Sequence, residues 1–439
     1  MNRRDFLRDG SLIGLTGALG AGLVESLRAE PLAPQVTDAK NTKKEPPPAP
    51  VATAVIGLGT QGREAVSALA RQNSAPRYIC DTYDGKIFVK KSQTLAPAAA
   101  FVKDYRAILD DKSIQAVVVA TPTHLHKQIV LDALQAGKHV YCEAPLSNTM
   151  EEARVIAMAG INAKTILMPG LHWRSNGQHK HIHKFVKTGV LGRAISGRSN
   201  WNKRSSWRAN WPTPEREAEL NWRLNPNVSL GLAGEVGMHE IDVASWYLNG
   251  MPISVTGWGG ILEYADGRTI ADTVQVIAEY PNSVRYTFEA SLSSTYEGSY
   301  EMLIGTMATV LVRDQRGWMF KEVDSPLLGW EVFARKDDYS IGSIANGTGD
   351  KVGTGIALVA DATKQIALGK DPGKIGTDVS KTALYQSIEV FLEGIRKDKK
   401  PPVTPLDGYR ATVIAIKSNE AVVNGSKITF QKEWFELVV

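Results

Sequence analysis

A glutamate and a histidine stand four residues apart in the segment 234–242, with Gly237 between them. If this segment is helical, Glu235 and His239 share one face of the helix. A neutral imidazole accepts a proton from a hydroxyl group near neutral pH, and a flanking carboxylate would orient the ring and stabilise its protonated form. The pattern also fits a core histidine beside a glutamate on the helix surface. The spacing alone leaves both interpretations open.

A glycine-rich turn lies between an apolar run, Val51–Ile56, and a helical pattern that begins near Arg63. In this context the spacing of Gly57, Gly59 and Gly62 is typical of a dinucleotide-binding turn. Glycines permit the tight turn, the approach of backbone N–H groups to a pyrophosphate, and close packing of the helix on the sheet. The phosphates would lie at the positive end of the helix dipole. A nicotinamide cofactor is therefore expected.

A carboxylate follows the second apolar strand of this half. The run Arg77–Cys80 ends at Asp81, close to the spacing at which an acidic side chain binds the adenosine ribose. A carboxylate there would repel the 2′-phosphate of NADP, so Asp81 favours NAD as the cofactor. Lys86 is near enough in sequence to keep NADP open as an alternative.

Two further motifs follow in a fixed order. The run Ile114–Ala120 predicts a buried parallel strand before the loop Thr121–His126, and the strand Val140–Cys142 leads into Glu143-Ala144-Pro145. From about residue 51 to the C-terminus, this order resembles the glucose–fructose oxidoreductase and inositol dehydrogenase (Gfo/Idh/MocA) family. The resemblance implies an α/β protein: a Rossmann domain with a doubly wound parallel sheet, then an α+β domain with an open, mostly antiparallel sheet. It assigns cofactor binding to Gly57, Gly59, Thr60, Gln61, Gly62, Asp81, Thr121, Pro122, His126 and Glu143.

The chain departs from the family at a position that bears on chemistry. Family members carry a lysine in a Glu-Lys-Pro turn, near the nicotinamide and the reacting hydroxyl, where this chain has Ala144. In the family motif DxGxHxxD, Glu235 replaces the first aspartate and His239 is retained. The resemblance thus implies that His239 and Glu235 are the catalytic residues. His172 or Arg174, which follow a strand near the cleft, could replace the charge of the lysine, and a structural role for them is equally open.

Beyond residue 170 the pattern changes from alternating strands and helices to consecutive strands with short turns. Strands are expected over residues 255–262, 273–280, 284–292, 299–305 and 309–313. Helices are expected over 380–397 and after Asp407–Arg410, packing near the nucleotide domain, and residues 342–355 are expected to form a surface loop. The predicted domains are 51–170 for NAD binding and 171–439 for substrate binding and oligomerisation.

Two polar clusters are weaker candidates. Histidines alternate at positions 179, 181 and 183, but only His179 and His183 would share a helix face and no acidic or cysteine ligand is near. A solvated helix face is favoured, and no metal is expected. The segment 201–223 is rich in tryptophan and arginine, which suits stacking on sugar rings, with interface packing as the alternative. It contains Trp201, Trp207, Arg208, Trp211, Trp222 and Arg223; the candidate substrate residues are His172, Arg174, Trp222 and Arg223.

The N-terminal residues 1–29 look like a twin-arginine export signal. Arg3 and Arg4 precede an apolar, glycine-rich stretch, Ser11–Val24, that is too short to span a bilayer comfortably. Residues 30–50 read as a proline-rich linker. We expect a periplasmic or secreted protein, with the twin-arginine export machinery as a partner and no stable membrane anchor.

Composition excludes two classes of protein. The net charge of +5 is spread over mixed charges without a basic stripe, so no nucleic-acid partner is expected. The chain has only two cysteines, Cys80 and Cys142, at the ends of predicted strands, and a disulfide framework is not expected.

One function and two alternatives combine these expectations. The first is an exported oxidoreductase that retains NAD(H), acts on a carbohydrate or polyol and is redox-neutral overall, because an exported enzyme meets little free cofactor. The second is an NAD-dependent glycosidase that works by oxidation, elimination, hydration and reduction. The third is a sugar-binding protein without turnover, which Ala144 permits. The family resemblance also implies a homo-oligomer associated through the open sheet.

Overall fold

A computed structural model describes residues 48–210, 213–313, 316–329, 331, 336–339, 353–358 and 381–437. The predicted export signal, residues 30–47 of the linker, Trp211 and residues 342–352 of the predicted loop lie outside the described residues. None of the helices in the described ranges combines the length and apolar character that a membrane-spanning helix needs.

The first sheet lies in the N-terminal half and is built from six short strands. They are β1 (Thr53–Ile56), β2 (Tyr78–Cys80), β3 (Ala100–Val102), β4 (Ala116–Val119), β5 (His139–Cys142) and β6 (Leu167–Pro169). All pairs are parallel, in the order β3-β2-β1-β4-β5-β6, which is the predicted doubly wound arrangement. Every residue of β1 and β4 is buried, because helices cover both faces of a parallel sheet.

Five helices accompany these strands. They are α1 (Thr60–Arg71), α2 (Lys86–Leu95), α3 (Arg106–Asp110), α4 (His126–Gln135) and α5 (Met150–Asn162). The single helical turn Thr123–Leu125 precedes α4. Both cysteines occupy the last position of a strand, Cys80 in β2 and Cys142 in β5, and both are buried free thiols.

The second sheet is mixed and larger than predicted. Its strands are β7 (Ala194–Asn202), β8 (Ser254–Gly260), β9 (Thr273–Glu279), β10 (Arg285–Ser291), β11 (Ser299–Gly305), β12 (Ala308–Arg313), β13 (Arg316–Lys321), β14 (Lys336–Tyr339), β15 (Gly353–Leu358) and β16 (Lys427–Thr429). Their order is β14-β15-β13-β12-β11-β7-β10-β9-β8-β16. Within the described part of this second sheet, only the pair β7 and β10 is parallel. The five predicted strands are confirmed as β8 to β12 within two residues at each end. Residues 353–355, which were predicted to end a loop, instead begin β15.

The described helices of the C-terminal half range from 4 to 20 residues in length. They are α6 (His172–Ser175), α7 (Gly177–Lys187), α8 (Pro214–Leu220), α9 (Gly231–Glu235), α10 (Gly237–Leu248), α11 (Ala383–Arg396) and α12 (Pro405–Asn424). Single turns also form at Trp222–Leu224, Pro281–Ser283 and Lys432–Phe435. The two helices predicted near the C-terminus are thereby confirmed.

Helix α12 packs on the nucleotide domain, as predicted. A capping box between Thr404 and Asp407 starts it, and a left-handed Gly425 ends it. A Cβ on Gly408 would lie 2.4 Å from Pro169 Cγ, so this glycine allows the helix to touch the end of β6. Each of two apolar clusters contains buried side chains from both halves of the chain, so the halves pack together.

Candidate active site

The glycine turn after β1 has the geometry that a dinucleotide needs. Gly57 has φ +95°, and a Cβ there would lie 2.5 Å from the carbonyl oxygen of Ala120. A Cβ on Gly62 would lie 1.8 Å from the carbonyl oxygen of Gly57, whereas a Cβ on Gly59 would meet no atom within 4 Å. Two glycines thus permit the close packing, and the third leaves open space beside the first turn of α1, where Thr60 and Gln61 lie. The residues present fit a pyrophosphate at this helix N-terminus.

Asp81 lies beside this turn, as predicted. Its Oδ2 accepts a hydrogen bond from the N–H of Leu58 at 2.7 Å, and its Oδ1 accepts one from the N–H of Tyr83 at 2.9 Å. The carboxylate therefore joins the loops after β1 and β2. This is the edge of the sheet at which an adenosine ribose binds in such folds.

The loop after β4 carries Thr121, Pro122 and His126 to the same edge of the sheet. The ring of His126 is 1% exposed; its Nδ1 faces the carbonyl oxygen of Pro145 at 3.0 Å and its Nε2 that of Thr121 at 3.0 Å. Burial lowers the pKa of this imidazole, although both carbonyl contacts oppose the change. His126 was predicted to bind the cofactor, but its side chain instead ties the loop after β4 to the turn that follows β5.

A buried ion pair stands next to Ala144. Glu143 Oε2 and His172 Nε2 are 2.9 Å apart, and both side chains are nearly buried. Gly170 makes room for them, because a Cβ there would lie 2.8 Å from Glu143 Oε2 and 3.3 Å from His172 Nε2. Burial alone would lower the pKa of His172, but the carboxylate of Glu143 outweighs burial and raises it. The raised pKa favours the positively charged form of His172, beside the position of the missing lysine.

His239 is stacked on this cation. The ring centroids of His172 and His239 are 5.5 Å apart, with planes inclined by 25°. Burial and, second, the charge of His172 lower the pKa of His239 to about 3. The two rings in contact therefore have opposite pKa shifts: the pKa of His172 is raised and that of His239 is lowered. The pair combines an imidazole that favours its protonated form with one that favours its neutral form.

Glu235 does not take the place that the sequence predicts. The expected single helix is interrupted at Val236, so α9 ends at Glu235 and α10 begins at Gly237. The carboxylate accepts hydrogen bonds from Thr123 Oγ1 at 3.1 Å and from the N–H of Leu230 at 3.2 Å. No hydrogen bond or ion pair joins Glu235 to His239, both of which the structure describes. The expectation that Glu235 orients the histidine ring is wrong in this geometry.

Burial raises the pKa of the Glu235 carboxyl, and the charge of Arg223 opposes that rise. Glu235 therefore belongs to a second polar group on the cleft wall, with Thr123 and Arg223. The first group consists of Glu143, His172 and His239.

Sequence reasoning missed the pairing of Glu143 with His172, although a signal for it existed. Glu143 directly follows β5 and His172 lies three residues after β6. These strands are parallel neighbours, with Cys142 opposite Pro169. The carboxyl ends of neighbouring parallel strands lie at the same edge of the sheet, so this topology predicts that the two side chains lie close together.

Arg174 cannot supply the missing charge to the cleft. Its guanidinium makes two 2.8 Å bonds to Asp242 and one of 2.9 Å to Asp407. Those carboxylates outweigh the effect of burial and raise the pKa of Arg174. The arginine thus joins α6, α10 and α12, which is the structural role that the sequence left open.

The histidines of α7 are not a solvated face, and that prediction is wrong. His179 is 2% exposed and His183 is 9% exposed. His179 packs 4.8 Å from the ring of Trp173, and His183 packs against Trp246 and Tyr247. Within the described residues no three histidine, cysteine or acidic side chains converge as metal ligands would.

The connection between β7 and α9, residues 203–210 and 213–229, reaches back to the nucleotide domain; we call it the crossing segment. Arg216 Nη2 donates to the carbonyl oxygen of Thr82 at 2.8 Å, and its guanidinium lies 5.3 Å from the ring centroid of Tyr83. Trp222 lies 6.1 Å from the ring of His124. The crossing segment therefore contacts the loops after β2 and β4, on both sides of the glycine turn.

Comparison with known proteins matches both halves of the chain. Residues 51–171 match the oxidoreductase family with an NAD-binding Rossmann fold, and residues 179–310 match the Gfo/Idh/MocA C-terminal domain. Levoglucosan dehydrogenase of Pseudarthrobacter phenanthrenivorans is 31% identical over 169 residues, which is 37% of this chain and 42% of that protein. The 2,7-anhydro-N-acetylneuraminate hydratase of Escherichia coli is 24% identical over 261 residues, 59% of this chain and 66% of that protein. The matches thus span about two fifths to two thirds of these two relatives.

Solved structures share the fold over most of the chain. A levoglucosan dehydrogenase in complex with NADH and levoglucosan superposes with a TM-score of 0.67 at 20% identity, covering 87% of this chain and 99% of that one. An aldose-aldose oxidoreductase from Caulobacter crescentus gives 0.63 at 16% identity, covering 87% and 100%. With the glycine turn, Asp81 and the retained His239 in place, this protein belongs to the Gfo/Idh/MocA oxidoreductase family, and residues 51–171 are its NAD-binding domain.

Proposed function

We propose that this protein interconverts a hydroxyl and a carbonyl group of a carbohydrate or polyol, with an NAD(H) that stays bound between cycles. The observation that carries the proposal is the stack of His172 on His239 beside Glu143. The named activities of the relatives, on levoglucosan and on an anhydro sugar acid, support a carbohydrate substrate.

Bound NAD⁺ would supply the hydride acceptor in the cleft. For the protein's own residues, the chemistry is a proton transfer. Neutral His239 accepts the proton of the reacting hydroxyl, and the imidazolium of His172 stabilises the negative charge that grows on that oxygen. Glu143 keeps His172 protonated. These three side chains perform the work that the family assigns to its lysine and histidine.

The low pKa of His239 makes the ring a weak proton acceptor and a ready proton donor, since a general base works best when its pKa lies near the working pH. Burial and the neighbouring cation disfavour the protonated form of His239, so a proton taken from the substrate is readily returned when the carbonyl is reduced. A redox-neutral cycle requires such a return, either to a second sugar or within one substrate.

Retention of the cofactor is supported by the crossing segment. Strand β1 lies between β2 and β4, and Arg216 and Trp222 reach the loops that follow those two neighbours. Contacts on both sides of the glycine turn would enclose the dinucleotide and slow its release. A retained cofactor in turn suits an exported protein.

A glycosidase-like cycle is the second candidate. Elimination needs a base that removes the proton from the carbon next to the new carbonyl group. Neutral His239, the proposed proton acceptor of the oxidation step, would also be that base. The similarity to a protein named as a hydratase of an anhydro sugar supports this second candidate.

Export by the twin-arginine route and assembly into a homo-oligomer remain part of the proposal. The export test replaces Arg3 and Arg4 with lysine, which should leave the protein in the cytoplasm. Assembly is supported by exposed apolar side chains, among them Trp258 at 51% and Leu262 at 75%. Light scattering of the purified protein measures the subunit number, and a monomer would contradict assembly.

The deciding experiment purifies the exported form and records the absorbance of its bound cofactor during a screen of free sugars against aryl glycosides. Reduction of the bound cofactor by free sugars supports the oxidoreductase. Release of the aglycone without net reduction supports the glycosidase. Binding of sugar with neither change would leave a protein without turnover, and steady release of free NADH would contradict retention.

A further inference from the structure

Arg223 has no hydrogen-bonded partner among the described residues, although it is partly buried. Its guanidinium lies 4.4 Å from the ring centroid of Trp222 and 5.9 Å from that of Trp207. Contact with aromatic faces holds the plane of a guanidinium while leaving its N–H edges available. Burial lowers the pKa of Arg223, and the charge of Glu235 opposes this effect. An arginine keeps its proton at any working pH, so the charge is permanent.

The other arginines near this wall are occupied. Arg208 binds Asp266 and Glu217, Arg268 binds Asp266, and Arg204 binds Glu263 and the carbonyl oxygen of Ser293. Their guanidinium groups serve as structural links. Arg223 makes no such link.

The position of Arg223 places it on the wall of the cofactor cleft. Glu235, the carboxyl group that interacts with it, is bound to Thr123 in the loop after β4. Trp222, which Arg223 covers, lies against His124 of the same loop. Glu235 also ends the helix that directly precedes α10, which carries His239. Arg223 therefore borders the space between the nucleotide domain and the proton acceptor.

We infer that Arg223 binds an anionic group of the substrate, so the substrate is an acidic sugar such as a hexuronate. The inference rests on the proposed function and adds a substrate class to it. The planar fork of a guanidinium binds a carboxylate through two parallel N–H···O bonds. A single glutamate that burial drives toward its neutral form leaves the arginine charge largely uncompensated, and an anionic ligand would compensate it. The pyrophosphate of the cofactor shares this chemistry and is the competing occupant.

The test compares acidic and neutral sugars of the same stereochemistry. D-Glucuronate is set against D-glucose and D-galacturonate against D-galactose, with binding to the NAD-loaded protein measured by calorimetry and turnover measured separately. The variants are Arg223→Met, which keeps length and apolar contact, and Arg223→Lys, which keeps charge but loses the fork. Arg204→Met is the matched control on the same crossing segment. Bound NAD is counted after denaturation of each protein, and melting temperatures report folding.

The native protein should bind at least one uronate more than 10-fold tighter than its neutral partner. Arg223→Met should weaken uronate binding by about 10- to 100-fold, as expected for loss of a charged hydrogen-bonded pair, while changing neutral sugars by less than about 3-fold. The uronate affinity of Arg223→Lys should lie between those of the native protein and Arg223→Met. Arg204→Met should bind uronates as the native protein does. Equal binding of acidic and neutral sugars by the native protein would overturn the inference, as would equal weakening of both by Arg223→Met. Loss of NAD from Arg223→Met with unchanged uronate selectivity would assign the arginine to the cofactor instead.

Failure of the inference and failure of the proposed function give different results. Uronate binding that depends on Arg223, without turnover of any sugar, supports the anion site and contradicts the redox function. Turnover of neutral sugars without preference for uronates supports the redox function and contradicts the anion site.

Discussion

Replacing His172 by glutamine removes the charge of the proposed cation and keeps a hydrogen-bond donor for Glu143. In the native protein the imidazolium lies 2.9 Å from Glu143 Oε2 and its ring centroid lies 5.5 Å from that of His239. A hydroxyl oxygen bound to His239 would lie at a comparable distance from the cation. Two unit charges 5.5 Å apart interact by about 3 kcal/mol at an effective dielectric constant of about 20. The expected loss of turnover is therefore about 100-fold.

The pH dependence gives a second readout that a merely structural role would not move. The pKa of His172 is raised in the folded protein, so the cation persists to a higher pH than in an ordinary histidine and is lost as the pH rises through that raised value. The native rate should fall on the alkaline side for this reason. His172→Gln should lose that alkaline fall. The pKa of His239 should rise in His172→Gln, because the charge of His172 is, after burial, the second cause that lowers the pKa of His239.

The assay is single-turnover reduction of the bound cofactor, followed by its absorbance across pH in native, His172→Gln, His239→Ala and doubly substituted proteins. His239→Ala should cost about 10²- to 10⁴-fold, the range for loss of a general base. Since His172 acts on the proton that His239 takes, the double variant should lose less than the product of the two effects. His181→Gln on α7 is the control, and all variants should retain NAD. A turnover within threefold of native for His172→Gln, or additive losses in the double variant, would refute the reasoning.

Three shorter predictions use the same preparations. Ala144→Lys adds an ammonium beside His172, which should lower the pKa of that imidazole and reduce turnover or weaken NAD retention; a clear gain in turnover would point to a degraded lysine site. Arg216→Ala removes the hydrogen bond to Thr82 and should speed the loss of NAD during gel filtration, while turnover at saturating NAD stays unchanged. If NAD is retained as well as in the native protein, the crossing segment does not hold the cofactor. The pKa of His179 is about 3 in the folded protein, compared with 6.5 for an ordinary histidine, so on acidification the unfolded chain binds a proton before the folded protein does. The free energy of unfolding therefore decreases as the pH falls from 6.5 toward 3. Chemical denaturation should show about 2 kcal/mol lost between pH 7 and 5 on its account, a loss that His179→Gln should remove.

The sequence predicted well where the signal is local. The glycine turn and Asp81 follow from spacing along one strand–turn–helix unit, and the strands of the second sheet follow from alternating side chains between turns. These features depend on backbone sterics and on burial of one or both faces of a strand. Distant residues alter them little.

It failed where a contact depends on residues far apart in the chain. The rings that cover His183 belong to Trp246 and Tyr247, more than sixty residues away in the chain. Tyr247 also lies beside His179, whose other aromatic contact is Trp173. The break at Val236 likewise sends Glu235 to Thr123, a residue of the other domain, instead of to His239. Spacing on an assumed helix could not reveal that competition.

The exchange of a lysine for a histidine pair changes what controls the site. An unperturbed lysine has a pKa of about 10.4 and an unperturbed histidine one of about 6.5, so the charge of a histidine near neutral pH depends more strongly on its neighbours. The charge on His172 depends on Glu143, on the burial of both groups and on the space that Gly170 leaves for them. In the proposed site the cation is His172 on the helix after β6, whereas the family lysine lies in the turn after β5. The ring of His172 stacks on that of His239, the proposed proton acceptor. Its ionisation and that of His239 are therefore linked: protonation of either ring disfavours protonation of the other. Because the two ionisations are linked, uptake of a proton by His239 would favour loss of one from His172, which suits the proposed cycle in which a proton is taken up and given back.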